Sequence, residues 1–177
     1  MNYHLFDNVL NNITNEAIRK FTINVLDACD PILEKIPAST SGKYHPEECC
    51  REGGLIIHIQ RACFFGNILI NSMNLDKNDI KGDIILSSLL LHDIAKKEKY
   101  NNYFEYVMHP VTASNMIDPF KGNLNDNHFY LIKEAIRAHM GPFSPKSHTK
   151  PLNKYNILEL VVYQSDYLAS QKTIEIK

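Results

Sequence analysis

Cysteine is scarce in this chain and poorly spaced for cross-linking. The four thiols, Cys29, Cys49, Cys50 and Cys63, include no Cys-x-x-Cys pair, and two of them are adjacent. Neither a disulfide framework nor a zinc knuckle is expected, and the thiols read as reduced groups in a cytoplasmic protein. Charge of one sign is equally lacking. The net charge is −1, so nothing global draws the protein to nucleic acid or to an acidic membrane surface. Long hydrophobic runs are missing too: the longest, around Ile84 to Leu91 and Ile157 to Tyr163, fall well short of the roughly 20 residues that a bilayer-spanning helix needs. The start, Met1-Asn2-Tyr3-His4-Leu5-Phe6-Asp7, has neither the basic beginning nor the apolar centre of a signal peptide. No membrane partner is expected. There is no internal repeat, no low-complexity tract and no convincing two-residue alternation of the kind strands show.

What remains is helical periodicity in a chain long enough for one core. At 177 residues, with 44% hydrophobic and 22% charged residues, the composition is that of a globular domain. The expectation is an all-α fold, a compact single-domain bundle over 1–177, in which 1–42 is a helical extension packed on a core running from 43 to 170. Ala17, Ile18, Phe21, Val25 and Cys29 recur at helical spacing and stop at Asp30-Pro31. A short helical piece is expected near Ile32 to Lys35, followed by an ordered loop from Pro37 to Gly54. Further helices are expected from about Leu55 to Met73, from Asn78 or Asp83 to His92, from His109-Pro110 to Asp118-Pro119, from about His128 to His139, and from about Lys154 to Ser170. Pro142, Pro145 and Pro151 mark a long loop before the last of these.

Chemistry concentrates at Leu89-Leu90-Leu91-His92-Asp93-Ile94-Ala95-Lys96. An adjacent histidine and aspartate end an apolar helix there, and desolvating them is costly unless a cation compensates. His58, His109, His139 and Asp166 each lie on or beside another apolar helical stripe. Imidazole and carboxylate groups converging from facing helices are what divalent transition metals take as ligands, and a carboxylate such as Asp93 can bridge two of them. Taken singly, His58, His139 and Asp166 read as hydrogen-bonded core residues sooner than as ligands. The adjacent pair reads as a ligand.

The pattern His58, His92-Asp93, His109, His139, Asp166 resembles the HD-domain metal-dependent phosphohydrolase superfamily. The resemblance runs from about Lys43 to Ser170 and rests on Gly53-Gly54-Leu55-Ile56-Ile57-His58, Leu91-His92-Asp93-Ile94-Ala95-Lys96, His109-Pro110, Ala138-His139 and Ser165-Asp166-Tyr167-Leu168-Ala169-Ser170. It implies that His58, His92, Asp93 and Asp166 hold a first metal. His109 and His139 match the subset with a second, in which Asp93 bridges. The opening Pro37-Ala38, Lys43-Tyr44-His45-Pro46 and Gly53-Gly54-Leu55 is similar to the HD portion of bacterial 3′ to 5′ exoribonucleases, but 177 residues leave no room for their oligonucleotide-binding domain. Processive nuclease activity is therefore not expected. Cyclic-dinucleotide phosphodiesterases of the superfamily carry a paired histidine and Gly-Tyr-Pro where this chain has His139-Met140-Gly141-Pro142.

The expected function is hydrolysis, by metal-activated water, of a phosphoester or anhydride in a nucleotide, dinucleotide or short oligonucleotide. Asp93 and Lys96 are the expected catalytic residues; Lys96, Arg61 and His148 are the expected substrate contacts. Two divalent transition ions are expected, manganese or iron ahead of cobalt, nickel and zinc. His45 and His128 read as solvated, and Tyr100, Tyr103, Phe104 and Tyr106 as loop-packing residues that could also stack on a base. The same ligand set would serve a di-iron oxygenase, and the same fold a non-catalytic nucleotide-binding regulatory domain. A homo-oligomer is compatible with the sequence.

Overall fold

Eight α-helices linked by short 3-10 turns, and no strand, make up the residues that the computed structural model describes, namely 1–75, 80–145 and 150–176. In chain order they are α1 (Asp7–Leu10), α2 (Glu16–Ala28), α3 (Gly54–Ser72), α4 (Lys81–Leu91), α5 (Tyr103–Val107), α6 (His109–Met116), α7 (Asp126–Ala138) and α8 (Ile157–Ala169). The architecture is all-α, as the periodicity leads one to expect. The single turn α1, too short to carry a stripe, lies where no helix was expected, and α5 is the short helical turn expected within the loop from Lys96 to Tyr106. No helix among the described residues is long and apolar enough to cross a membrane.

Local chemistry fixes the helix starts. The side chains of Asn15 and Asn125 accept the free N–H groups of Ile18 and His128 at the beginnings of α2 and α7. Asn156 and Glu159 form a reciprocal capping box on α8. Pro110 sits in the first turn of α6, where its missing N–H has no helical partner to lose.

Helix α4 is the axis of the bundle. Every residue from Gly82 to Leu91 is buried, because α2, α3, α7 and α8 all pack around it, and a helix apolar on all sides is stable only in such a position. Its polar residues are matched: Asp83 accepts Thr14 N (3.0 Å), Thr14 Oγ1 (3.0 Å) and Asn15 N (2.8 Å), and Ser87 Oγ bonds Thr22 Oγ1 at 2.7 Å. These bonds seat α2 on α4. Phe6, Ile13, Ile18, Phe21 and Leu26 from the N-terminal segment therefore join Leu55, Ile84, Leu89, Ile132 and Val162 in one continuous core.

Two glycines set where α3 begins. Gly53 takes a left-handed φ of 75° and donates its N–H to Lys35 O at 2.9 Å. A Cβ on Gly54 would lie 2.3 Å from Cys49 O, so only glycine lets the 47–50 turn close against the first turn of the helix. Further along, a Cβ on Gly66 would meet Leu89 Cδ1 at 2.3 Å, which brings α3 and α4 into close approach.

Gly54→Ala should lower stability by about 1–3 kcal/mol, because the clash is with backbone. Gly66→Ala should cost less, since the Leu89 methyl can shift and alanine is the better helix former by about 1 kcal/mol. Urea midpoints for the two variants, compared with the parent chain, check that order.

Candidate metal centre

The inner ends of five helices supply six side chains to one place. His58 sits in the second turn of α3, His92 and Asp93 follow directly on α4, His109 opens α6, His139 follows α7, and Asp166 lies in the last turn of α8. His58, His92, Asp93, His109 and His139 are buried, and Asp166 is 18% exposed.

Three of the histidines are held by the same device. His92 Nδ1 donates to Leu89 O (2.6 Å), His109 Nδ1 to Tyr106 O (2.7 Å) and His139 Nδ1 to Ile136 O (2.7 Å), each carbonyl lying three residues upstream. With the proton held at Nδ1, a neutral ring turns the lone pair of Nε2 into the site.

The ligand atoms form two triangles. In the first, His58 Nε2 lies 2.9 Å from Asp166 Oδ1 and 3.4 Å from His92 Nε2, and His92 Nε2 lies 3.7 Å from Asp166 Oδ1. In the second, His109 Nε2 lies 3.0 Å from both His139 Nε2 and Asp93 Oδ1, with His139 to Asp93 Oδ1 at 3.5 Å. Ligands about 2.1 Å from a cation at tetrahedral or octahedral angles stand about 3–3.5 Å apart, so both triangles have the right size. Asp93 joins them. Its Oδ1 belongs to the second triangle, while Oδ2 faces the first, 3.4 Å from His92 Nε2 and 3.7 Å from His58 Nε2.

Two features favour a cation over a closed hydrogen-bond network. The Nε2 atoms of His109 and His139 face each other at 3.0 Å although both rings commit their protons at Nδ1, so their lone pairs repel unless positive charge sits between them. Asp93 Oδ1, fully buried, lies close to both rings but satisfies the geometry of a hydrogen bond with neither. The six side chains thus fit metal binding, in the groups His58, His92, Asp166 and Asp93, His109, His139.

The electrostatics agree. Burial pushes the Asp93 pKa up, but the Lys96 ammonium and His92 beside it overturn that and hold it well below the ordinary carboxylate range. Asp166 behaves alike: burial raises it, and the His58 hydrogen bond with the charge of His92 depresses it. Burial lowers the His92 pKa, and Asp93, Asp166 and the Leu89 carbonyl more than reverse this, raising it to about 9. His109 is pushed the other way, to about 4, by burial and by Lys96. Without a cation the two carboxylates draw a proton onto His92.

The triangles form the floor of a cavity of about 440 Å³. Lys96 lines it, its Nζ 3.7 Å from Asp93 Oδ2, 3.4 Å from Ala38 O and 5.6 Å from the centre of the Tyr106 ring. Arg61 does not line it. Its guanidinium donates to Ala169 O (3.1 Å), Ile174 O (2.9 Å) and Glu48 Oε1 (3.3 Å), so the residue expected to touch substrate instead fastens the C-terminal segment to α3. His148 lies outside the described residues. Tyr103 and Tyr106 line the cavity, whereas Tyr100 packs edge-on against Tyr106.

His45 reverses the sequence expectation. Rather than being solvated, it lines the cavity with its ring 5.2 Å from that of His58 and its Nδ1 buried without a partner. Burial, with His58 and Lys96 nearby, lowers its pKa to about 4. No local pattern in Tyr44-His45-Pro46 reports this: Pro46 is buried, and Tyr44 O accepts Lys172 N at 2.9 Å, so the loop is bound down by contacts distant in the chain. Tyr163 and Tyr167, one turn apart on α8 around Asp166, also enter the cavity wall.

No family model matches the chain, and no curated protein or solved structure matches it.

The histidine shifts predict a two-sided pH profile for metal-free protein. Histidine in an unfolded chain titrates near 6.5. The contribution of His92, raised to about 9, is complete below pH 6.5 and is lost as pH rises through 9; those of His45 and His109, lowered to about 4, are complete above pH 6.5 and are lost as pH falls through 4. Urea midpoints should therefore peak near pH 6.5. A flat profile between pH 6.5 and 9 would show that His92 carries no proton there.

Proposed function

We propose that this chain is a metal-dependent phosphohydrolase acting on a phosphoester or anhydride of a nucleotide, dinucleotide or short oligonucleotide. The observation that carries the reading is the division of one buried carboxylate between two ligand triangles, with a lysine beside it on the cavity side. His58, His92 and Asp166 would hold one divalent ion with Asp93 Oδ2, and His109 and His139 a second with Asp93 Oδ1. When bound, such ions supply a water acidic enough to ionise near neutral pH and neutralise phosphoryl oxygens. Manganese or iron is favoured, and cobalt, nickel and zinc suit the same donors.

The protein's own groups do the remaining work. Asp93 fixes the spacing of the two half-sites. Lys96 stays charged: burial alone would lower its pKa, but Asp93 raises it above the ordinary lysine value, so its ammonium can hold a phosphoryl oxygen and balance charge that grows during the reaction. The Nδ1 bonds to Leu89, Tyr106 and Ile136 keep three rings aimed without further ordering. An oxygenase using iron would need the same ligands, but Lys96 at the cavity wall favours a phosphorylated substrate. The free thiols support a reducing, cytoplasmic setting.

Protein reconstituted with manganese should carry about two ions per chain and release phosphate or nucleotide anaerobically from a panel of nucleotides, dinucleotides and short oligonucleotides. Less than about one ion per chain, or turnover that consumes oxygen, overturns the proposal. Asp93→Ala should abolish both metal retention and turnover, whereas His139→Ala should lower the metal content to about one. Lys96→Met should keep the metal and lose about 10²–10³-fold in kcat.

A further inference from the structure

The wall above the candidate metal centre is aromatic far beyond what a core requires. Tyr44, Tyr103, Tyr106, Phe143, Tyr163 and Tyr167 all line the cavity, and four of them remain largely open: Tyr103 is 76% exposed, Phe143 63%, Tyr44 58% and Tyr167 45%. The rings come from four separate parts of the chain. Two pairs are platforms one turn or less apart on their own helices: Tyr103 and Tyr106 on α5, with ring centres 6.2 Å apart and planes 38° apart, and Tyr163 and Tyr167 on α8, at 6.2 Å and 41°. Lys96, by contrast, is the one lysine or arginine among the described residues that line the cavity.

That balance selects a kind of ligand. A wall with one lysine and several exposed rings offers a ligand little side-chain charge and much stacking surface. Exposed rings offer stacking to any unpaired base, largely without regard to sequence. In a duplex the bases are stacked on one another and closed to such rings, so the ligand must be single-stranded. Two aromatic platforms on different helices line the same cavity as the metal-binding side chains and Lys96, which suits a ligand that carries bases and a phosphate together.

Resting on the phosphohydrolase reading, we propose that these rings form a base-stacking subsite for a single-stranded phosphodiester, a dinucleotide or the end of a short oligonucleotide, and that stacking rather than charge supplies most of its affinity. Tyr103 and Phe143 are the outermost contacts. Their exposure makes their replacement by alanine harmless to the core.

The test is equilibrium binding by calorimetry to the full chain in EDTA, where no hydrolysis occurs, using adenylyl-adenosine and an abasic dinucleotide analogue with the same backbone. The parent chain should bind adenylyl-adenosine at least tenfold more tightly than the abasic analogue. Tyr103→Ala and Phe143→Ala should each weaken the dinucleotide by about tenfold, leave the abasic analogue unchanged and leave metal content at the parent level, with Tyr103→Phe restoring the loss. Equal affinity for the two ligands, unchanged dinucleotide binding in both alanine variants, or displacement of the dinucleotide by blunt duplex DNA overturns the inference. Base-dependent binding together with a failed hydrolysis screen refutes the catalytic reading alone; hydrolysis with base-independent affinity refutes this inference alone.

Discussion

A carboxylate with no access to water and a lysine ammonium 3.7 Å away organise this molecule. Asp93 is held ionised where burial should neutralise it, and the compensation comes from the Lys96 ammonium one turn on and from His92 beside it. An isolated charge in such a place costs several kcal/mol. The helices therefore cannot pack in a different register without stranding it. The same constraint explains why apolar α4 ends where it does: its last buried turn delivers the charge to the point where the other helix ends converge.

Much of this was legible in the sequence because helices advertise themselves by spacing. The stripe in α7 ending at His139, the proline at the start of α6 beside His109, and the apolar run before His92-Asp93 each identify an element and its inward residue together. Arg61 shows where that logic stops. One turn from His58 and equally buried, it shares the periodicity of a site residue, yet its partners are carbonyls 108 and 113 residues away, and no local pattern reports contacts at that range. His45 was misread for the converse reason. It sits in a loop, where polar residues are ordinarily solvated, and its neighbour Tyr44 accepts a bond from Lys172, 128 residues along the chain.

The two residues are linked. Arg61 binds Glu48 as well as the C-terminal carbonyls, and Lys172 binds Tyr44, so the 43–50 loop and the segment after α8 brace each other. A second cavity, of about 660 Å³, is lined by Glu48, Arg61, Lys172 and Ile174 of this brace and shares His45 with the first. The wall that presents Tyr44 and His45 to the candidate metal centre is thus supported from behind by residues that take no part in it.

The bonds from His92, His109 and His139 to carbonyls three residues upstream have an evolutionary consequence. A carbonyl is present whatever side chain its residue bears, so Leu89, Tyr106 and Ile136 orient the imidazoles through atoms that point substitution cannot delete. The inner site is buffered against mutation of its immediate neighbours. The aromatic wall has no such insulation, since every contact it offers is a side chain. Selection can therefore rewrite what enters the cavity while the floor beneath keeps its shape, which is the division of labour a scaffold needs if one chemistry is to be passed among many ligands.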